Sequence, residues 1–219
     1  MDLFDSEKEK EQAEQRRKKQ LCAMVREEFE RRAVQRRPFE LQWQLNMNFM
    51  LGNQYYDIAP LSGELFETVQ EYPWQEREVY NHIAPIMESR LAKLTRVRPQ
   101  MLVRPATSDE ADVQSAKVCT ALVKSCFSRL AMTDQLDEAA MWSEICGTVF
   151  YKSVWSDSKG VPVATNENRQ VRQGDIETSV CPPYEIYPDS PGREDVSRCE
   201  SLIHARAYSP GEVERLWGV

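Results

Sequence analysis

Two histidines, His82 and His204, and six cysteines, Cys22, Cys119, Cys126, Cys146, Cys181 and Cys199, are the side chains of this sequence best suited to hold a metal or to act as nucleophiles. Their spacing favours neither task. Zinc sites draw their ligands from paired clusters such as C-x-x-C, and here only Cys199 and His204 lie close together along the chain. Ser143-Glu144 and Cys146-Gly147 fall at a helix end without the G-x-S-x-G elbow that exposes a nucleophile, and without an evident histidine partner. The G-x-x-x-x-G-K loop that cradles nucleotide phosphates is missing, and eight glycines leave little material for another cradle.

Carboxylates are abundant in "SDEAD" (108–112) and "DQLDEAA" (134–140), as a Mg2+-dependent nuclease would require. Both clusters sit where helices are expected to start, and negative side chains are favoured there by the helix dipole. Asp189, within "YPDSPGRED", has the setting of a turn and suits a loop hydrogen-bond acceptor. The residues therefore predict no catalytic, cofactor-binding or metal-ligating site, and a protein that is not an enzyme.

Cations form two further groups. Arg16, Arg17, Lys18 and Lys19 make one block, and Arg90, Lys93, Arg96, Arg98 and Arg104 a looser second one. A nucleic-acid-binding module could use both. Such a module gains affinity by neutralising phosphates and releasing counterions, and a net charge of −7 works against a chain devoted to that task. The acids interleaved with the first block make it read as a solvated helix face.

The elements that would position these groups follow from periodicity. At 25.4 kDa, 41% hydrophobic and 29% charged, with a mean hydropathy of −0.61, the chain can bury one sizeable core carrying polar extensions. The cysteines are scattered, unlike a secreted disulfide scaffold, so reduced thiols are expected. The sequence has neither a membrane-length apolar run nor the apolar core of a signal peptide at its start, and a cytoplasmic site of synthesis is expected.

Residues 5–37 alternate charge around a sparse helical stripe of Leu21, Met24, Val25, Phe29 and Ala33. Pro38 is expected to end that helix, and a second over 39–52 carries Phe39, Trp43, Met47 and Met50. Residues 54–79 read as loop. An amphipathic helix over 80–96 buries Ile83, Ile86, Met87, Leu91 and Leu94 behind a basic border. "QMLVRP" reads as a short strand, Thr107 with Glu110 as a capping box, and two helices follow, the second ending at Gly147. From Thr148 the pattern alternates, with strands over "TVFYKSVWSD" and "VPVATNE", an extended segment "DIETSVCPPYEIYPD" running into a Pro-rich loop, and a further strand over "CESLIHARAYS". Ser209-Pro210-Gly211-Glu212 opens a last helix with a capping box, and its start so near Val219 suggests a longer protein represented in part.

The fold class expected is α+β: N-terminal helices, then a helix pair and a small, mostly antiparallel sheet. Three regions are expected: a charged helical arm over 1–37, a mainly helical region over 38–147 and a β-rich region over 148–219.

The order of these parts resembles the N-terminal wing portion of tailed-bacteriophage portal proteins, especially the large P22-like ones. The marks are "FMLGNQYYD", the helix leading into Arg98-Pro99 and Arg104-Pro105, the step Gly147-Thr148-Val149 into a strand with Trp155, the string Pro183-Tyr184-Glu185-Ile186-Tyr187-Pro188-Asp189, and the Ser-Pro-x-Glu helix start at Ser209. The resemblance implies a structural subunit of a homo-oligomeric ring, a dodecamer, at one vertex of the virion capsid, made in the bacterial host cytoplasm. It implies a conduit for packaging and ejecting double-stranded DNA without sequence-specific binding. Its partners would be other copies of itself, the major capsid protein, terminase and a tail or head-completion adaptor, with no membrane and no cofactor. Stem, clip and crown would follow after residue 219. Arg90, Lys93, Arg96 and Arg98 are then candidates for contacts with an acidic neighbouring subunit or with the capsid.

Overall fold

The structure, a computed structural model, describes residues 3–70, 72, 74, 76–166, 169–190 and 195–218. It is α+β, as the patterning implies. The elements are α1 (Leu3–Leu51), β1 (Tyr56–Ile58), β2 (Leu65–Glu67), α2 (Ile83–Arg96), α3 (Glu110–Arg129), α4 (Met132–Cys146), β3 (Phe150–Ser156), β4 (Pro162–Asn166), β5 (Arg169–Arg172), β6 (Asp175–Cys181), β7 (Ile186–Pro188), β8 (Leu202–His204) and α5 (Pro210–Trp217). The small, mostly antiparallel β structure consists, among the described residues, of four two-stranded antiparallel ladders, β1–β2, β3–β6, β4–β5 and β7–β8.

The chain divides into two compact units, one of residues 1–41 with 184–219 and one of residues 42–183. This differs from the division at 37 and 147 expected from composition. The cause is non-local: in the first unit Arg32 and Arg36 of α1 bind backbone carbonyls of residues 184–201, so the charged arm is not an independent segment.

Within that unit α1 also corrects the expected break at Pro38. One helix runs through it. Proline removes one N–H from the ladder and crowds the preceding turn, but the arginine anchors one turn earlier and buried Leu41 one turn later hold the backbone helical. At the far end, Ser209 and Glu212 form the capping box read from sequence, with the Glu212 carboxylate accepting from Ser209 N at 2.9 Å and from its Oγ at 2.8 Å.

The second unit is built on α2, α3 and α4, with Trp43, Ala116, Ala139, Ile145 and Cys146 buried. The segment read as loop over 54–79 holds the β1–β2 hairpin, registered Tyr56 to Glu67. Helix α2 begins at Ile83, three residues late, because the Asn81 side chain accepts from the amides of Ile83 and Ala84, both at 3.1 Å, and so ends the preceding loop. Thr107 does not cap with Glu110; its hydroxyl donates to Asp112. Gly147 ends α4 as expected, at φ +76° with its N–H on the Ser143 carbonyl at 2.9 Å, a left-handed conformation that glycine adopts without strain.

Residues 100–105, expected as a strand, belong to no ladder. Their recorded backbone tie is the amide of Val103, which donates to Thr120 Oγ1 of α3 at 3.1 Å. Strand propensity there meets no partner strand among the described residues.

Candidate functional site

The basic border of α2 faces α4. Arg90 makes a two-pronged pair with Glu144, Nε to Oε2 at 2.7 Å and Nη2 to Oε1 at 3.0 Å. Seven residues earlier on α4, Asp137 accepts from Arg98 at 2.8 and 3.3 Å, and Arg98 also reaches the Thr133 carbonyl at 3.4 Å. The planar guanidinium fork matches a carboxylate at both oxygens. The Arg90 guanidinium holds the Glu144 carboxyl below the usual carboxylate range. Two of the four candidate contact residues thus fasten α2 and the segment after it to α4 of the same unit.

Lys93 and Arg96 differ. Both are exposed in the last turn of α2, where cations complement the helix dipole, and neither has an ion-pair partner among the described residues. They are the two candidates of this helix left to face another molecule.

In the first unit a buried arginine pair, absent from the expected site residues, organises the polar chemistry. Arg32 and Arg36, 6% and 4% exposed, stand one helical turn apart on α1. Arg32 Nη1 donates to the carbonyls of Tyr187 at 3.1 Å and Ser201 at 3.2 Å, and Nη2 to Ser201 Oγ at 2.6 Å. Arg36 donates to the carbonyls of Ile186 at 2.7 Å and Tyr184 at 2.9 Å and to Glu40 at 2.8 Å, and its guanidinium lies 3.5 Å from the centre of the Tyr187 ring. The sequence signal was a pair of arginines at i and i+4 beside the apolar stripe, flanked one turn out by Glu28 and Glu40. Nearby, Glu185 accepts from His204 Nε2 at 3.1 Å and faces Arg206 Nε at 3.5 Å. Asp189 accepts from the Glu200 amide at 3.0 Å, the loop role its setting implied.

The block 16–19 is solvent-facing, and Lys18 pairs with Glu14 at 2.8 Å. The acidic clusters fall at helix starts, with Glu110 and Asp112 in the first turn of α3 and Asp134 in that of α4. None of the six cysteines forms a disulfide.

Apolar surface is the other conspicuous feature. Leu21 and Met24 (56% each) and Val25 are exposed on α1, and Leu21, Val25 and Phe29 line a groove of about 490 Å³ with Ile203 and Ala205. In the second unit Val118 and Leu122 form an exposed ridge on α3, and Ile86 and Leu94, placed on the buried face by periodicity, are exposed on α2. The chain exposes 17545 Å². Two separate compact units dividing 25.4 kDa in proportion to their lengths would together expose about 12,400 Å². The difference of about 5,000 Å² includes the solvent-facing stretch of α1, whose residues 12–27 are all exposed.

No family model, curated protein or solved structure matches this chain.

Proposed function

We propose that the chain is a structural subunit of a phage portal-type ring: a wing-like part of a closed assembly of about twelve copies at a capsid vertex, through which double-stranded DNA is packaged and ejected. The observation that carries the reading is the number of large apolar side chains left exposed on folded units, Leu21, Met24, Leu102, Val118 and Leu122 among them. Monomeric proteins rarely leave extended apolar surface in water, and such surface marks contacts with other macromolecules. A ring subunit needs two different faces of roughly 800 Å² or more each, one for each neighbour, and the open area accommodates both.

The charge distribution supports the same reading. A conduit must let DNA slide, so it should not gather cations into a phosphate-gripping cleft. Arg90, Arg98, Arg32 and Arg36 are held by acids and carbonyls of their own units, and the net charge of −7 repels phosphate. In this reading Lys93 and Arg96 contact an acidic neighbouring subunit or the major capsid protein, while terminase and a tail or head-completion adaptor dock on the ring.

The test combines assembly with DNA affinity. Purified protein should form rings in negative-stain images and bind duplex DNA no better than the roughly 10⁻⁴ to 10⁻⁶ M of non-specific binding at physiological salt. Salt-sensitive nanomolar binding by a monomer would instead favour a nucleic-acid-binding module using residues 16–19 and 90–104.

A further inference from the structure

Two orphan β elements occur in the second unit. The first is the outer edge of β3. The ladder β3–β6 has two strands, and its register pairs Ser153 with Thr178 and Trp155 with Ile176. The Thr178 carbonyl accepts from Gln135 Nε2 at 2.9 Å and the Ile176 amide donates to Asp175 Oδ1 at 2.7 Å. Both groups therefore point away from β3, which makes 153–178 and 155–176 the non-hydrogen-bonded pairs of an antiparallel ladder. By the same alternation the backbone N–H and C=O groups of Tyr151, Ser153 and Trp155 point outward from β3. On the β6 side, helix α4 covers the edge through Gln135. On the β3 side these groups have no hydrogen-bond partner among the described residues, and residues 151–155 are all exposed, Trp155 at 61%.

The second orphan is the segment Gln100–Arg104, which has no assigned secondary structure. Its sequence has strand character, it is bounded by Pro99 and Pro105, and it joins no ladder. Val103 directs its amide to Thr120 on α3; paired as a strand, the segment would turn the backbone groups of Gln100, Leu102 and Arg104 the other way. Leu102 is 67% exposed.

We infer that these two elements are halves of one contact between copies of this chain: Gln100–Arg104 of one copy adds as a third strand to the Tyr151–Trp155 edge of the next. The lengths agree, five residues against five. An open strand edge is a template for strand addition. The donor segment and the acceptor edge are different surfaces of one chain, so the contact is head-to-tail, the kind that closes into a ring when the rotation per copy allows. A second copy is the occupant because this sequence itself supplies a matching strand-like segment, exposed and outside every ladder among the described residues. The inference rests on the ring reading above and specifies one of its interfaces.

The experiment uses the whole chain with Cys22 and Cys119 replaced by serine, into which Leu102→Cys and Ser153→Cys are introduced separately. Mixed and oxidised, the two variants should give a covalent dimer as the main product, while each alone gives only background. Independently, Ser153→Pro removes one outward N–H without touching a β3–β6 bond, and it should weaken self-association by roughly tenfold or more with circular dichroism unchanged. Rings that form normally without the mixed cross-link would overturn this interface and leave the ring reading standing. Cross-linking of Leu102→Cys to itself at equal yield would overturn the head-to-tail arrangement. A chain that stays monomeric at every concentration, with no cross-link, would overturn both.

Discussion

Replacing Arg36 by alanine should uncouple α1 from the segment that follows residue 183 in the first unit. The guanidinium is 4% exposed and donates to two main-chain carbonyls, Ile186 at 2.7 Å and Tyr184 at 2.9 Å, besides Glu40. Alanine reaches none of them. Each buried carbonyl left without a donor costs about 1–3 kcal/mol. The Glu40 carboxylate, 20% exposed, can recover part of its hydration, so it adds little. Loss of the Tyr187 ring contact adds about 1 kcal/mol. The expected total is about 3–7 kcal/mol, overlapping the range of about 3–5 kcal/mol measured when one member of a buried charged pair is removed. Arg36→Lys, which keeps the charge but can reach only one carbonyl, should lose about half as much. Amide hydrogen exchange of β7 and β8 reads this local opening directly, with urea unfolding as a global check. A shift below about 1 kcal/mol for Arg36→Ala, with β7–β8 protection intact, would refute the claim that this arginine holds the unit together.

Pro38→Ala should stabilise α1 by about 1–3 kcal/mol, because alanine restores an amide to the ladder of a helix that already continues through the site; a lower thermal midpoint would show that proline is needed there. Thiol titration near pH 8 should label the exposed Cys22 and Cys119 quickly, whereas Cys146, whose thiol burial pushes up to about 11, should stay unreactive until the chain unfolds. For Arg90→Gln the sign follows from Glu144, whose folded value is depressed: its stabilising contribution is present above the ordinary carboxylate value and fades as pH falls through the depressed one. The stability gap between wild type and variant, read by denaturant melts across pH, should therefore be largest near neutrality and vanish in acid.

What was legible in the sequence was local. Gly147 as a helix stop and Ser209 with Glu212 as a helix start each follow from a handful of neighbouring atoms, and both stand in the structure. Pro38 misled because the forces that carry the helix through it come from carbonyls about 150 residues away. Arg90 and Arg98 were recognisable as ion-pairing residues, yet their acids lie 54 and 39 residues along the same chain, and periodicity gives faces, not pairings. Residues 100–104 have strand composition, and what they lack is a partner strand among the described residues. Arg32 and Arg36 were overlooked because a charged helix reads as solvated until something buries one of its faces.

The central claim is assembly through surface that folding leaves open, and native mass spectrometry of the purified protein, paired with negative-stain images, tests it most directly. The account predicts a closed ring of about twelve copies held by head-to-tail contacts. A stable monomer, or a two-fold dimer that forms no ring under any condition, would contradict it.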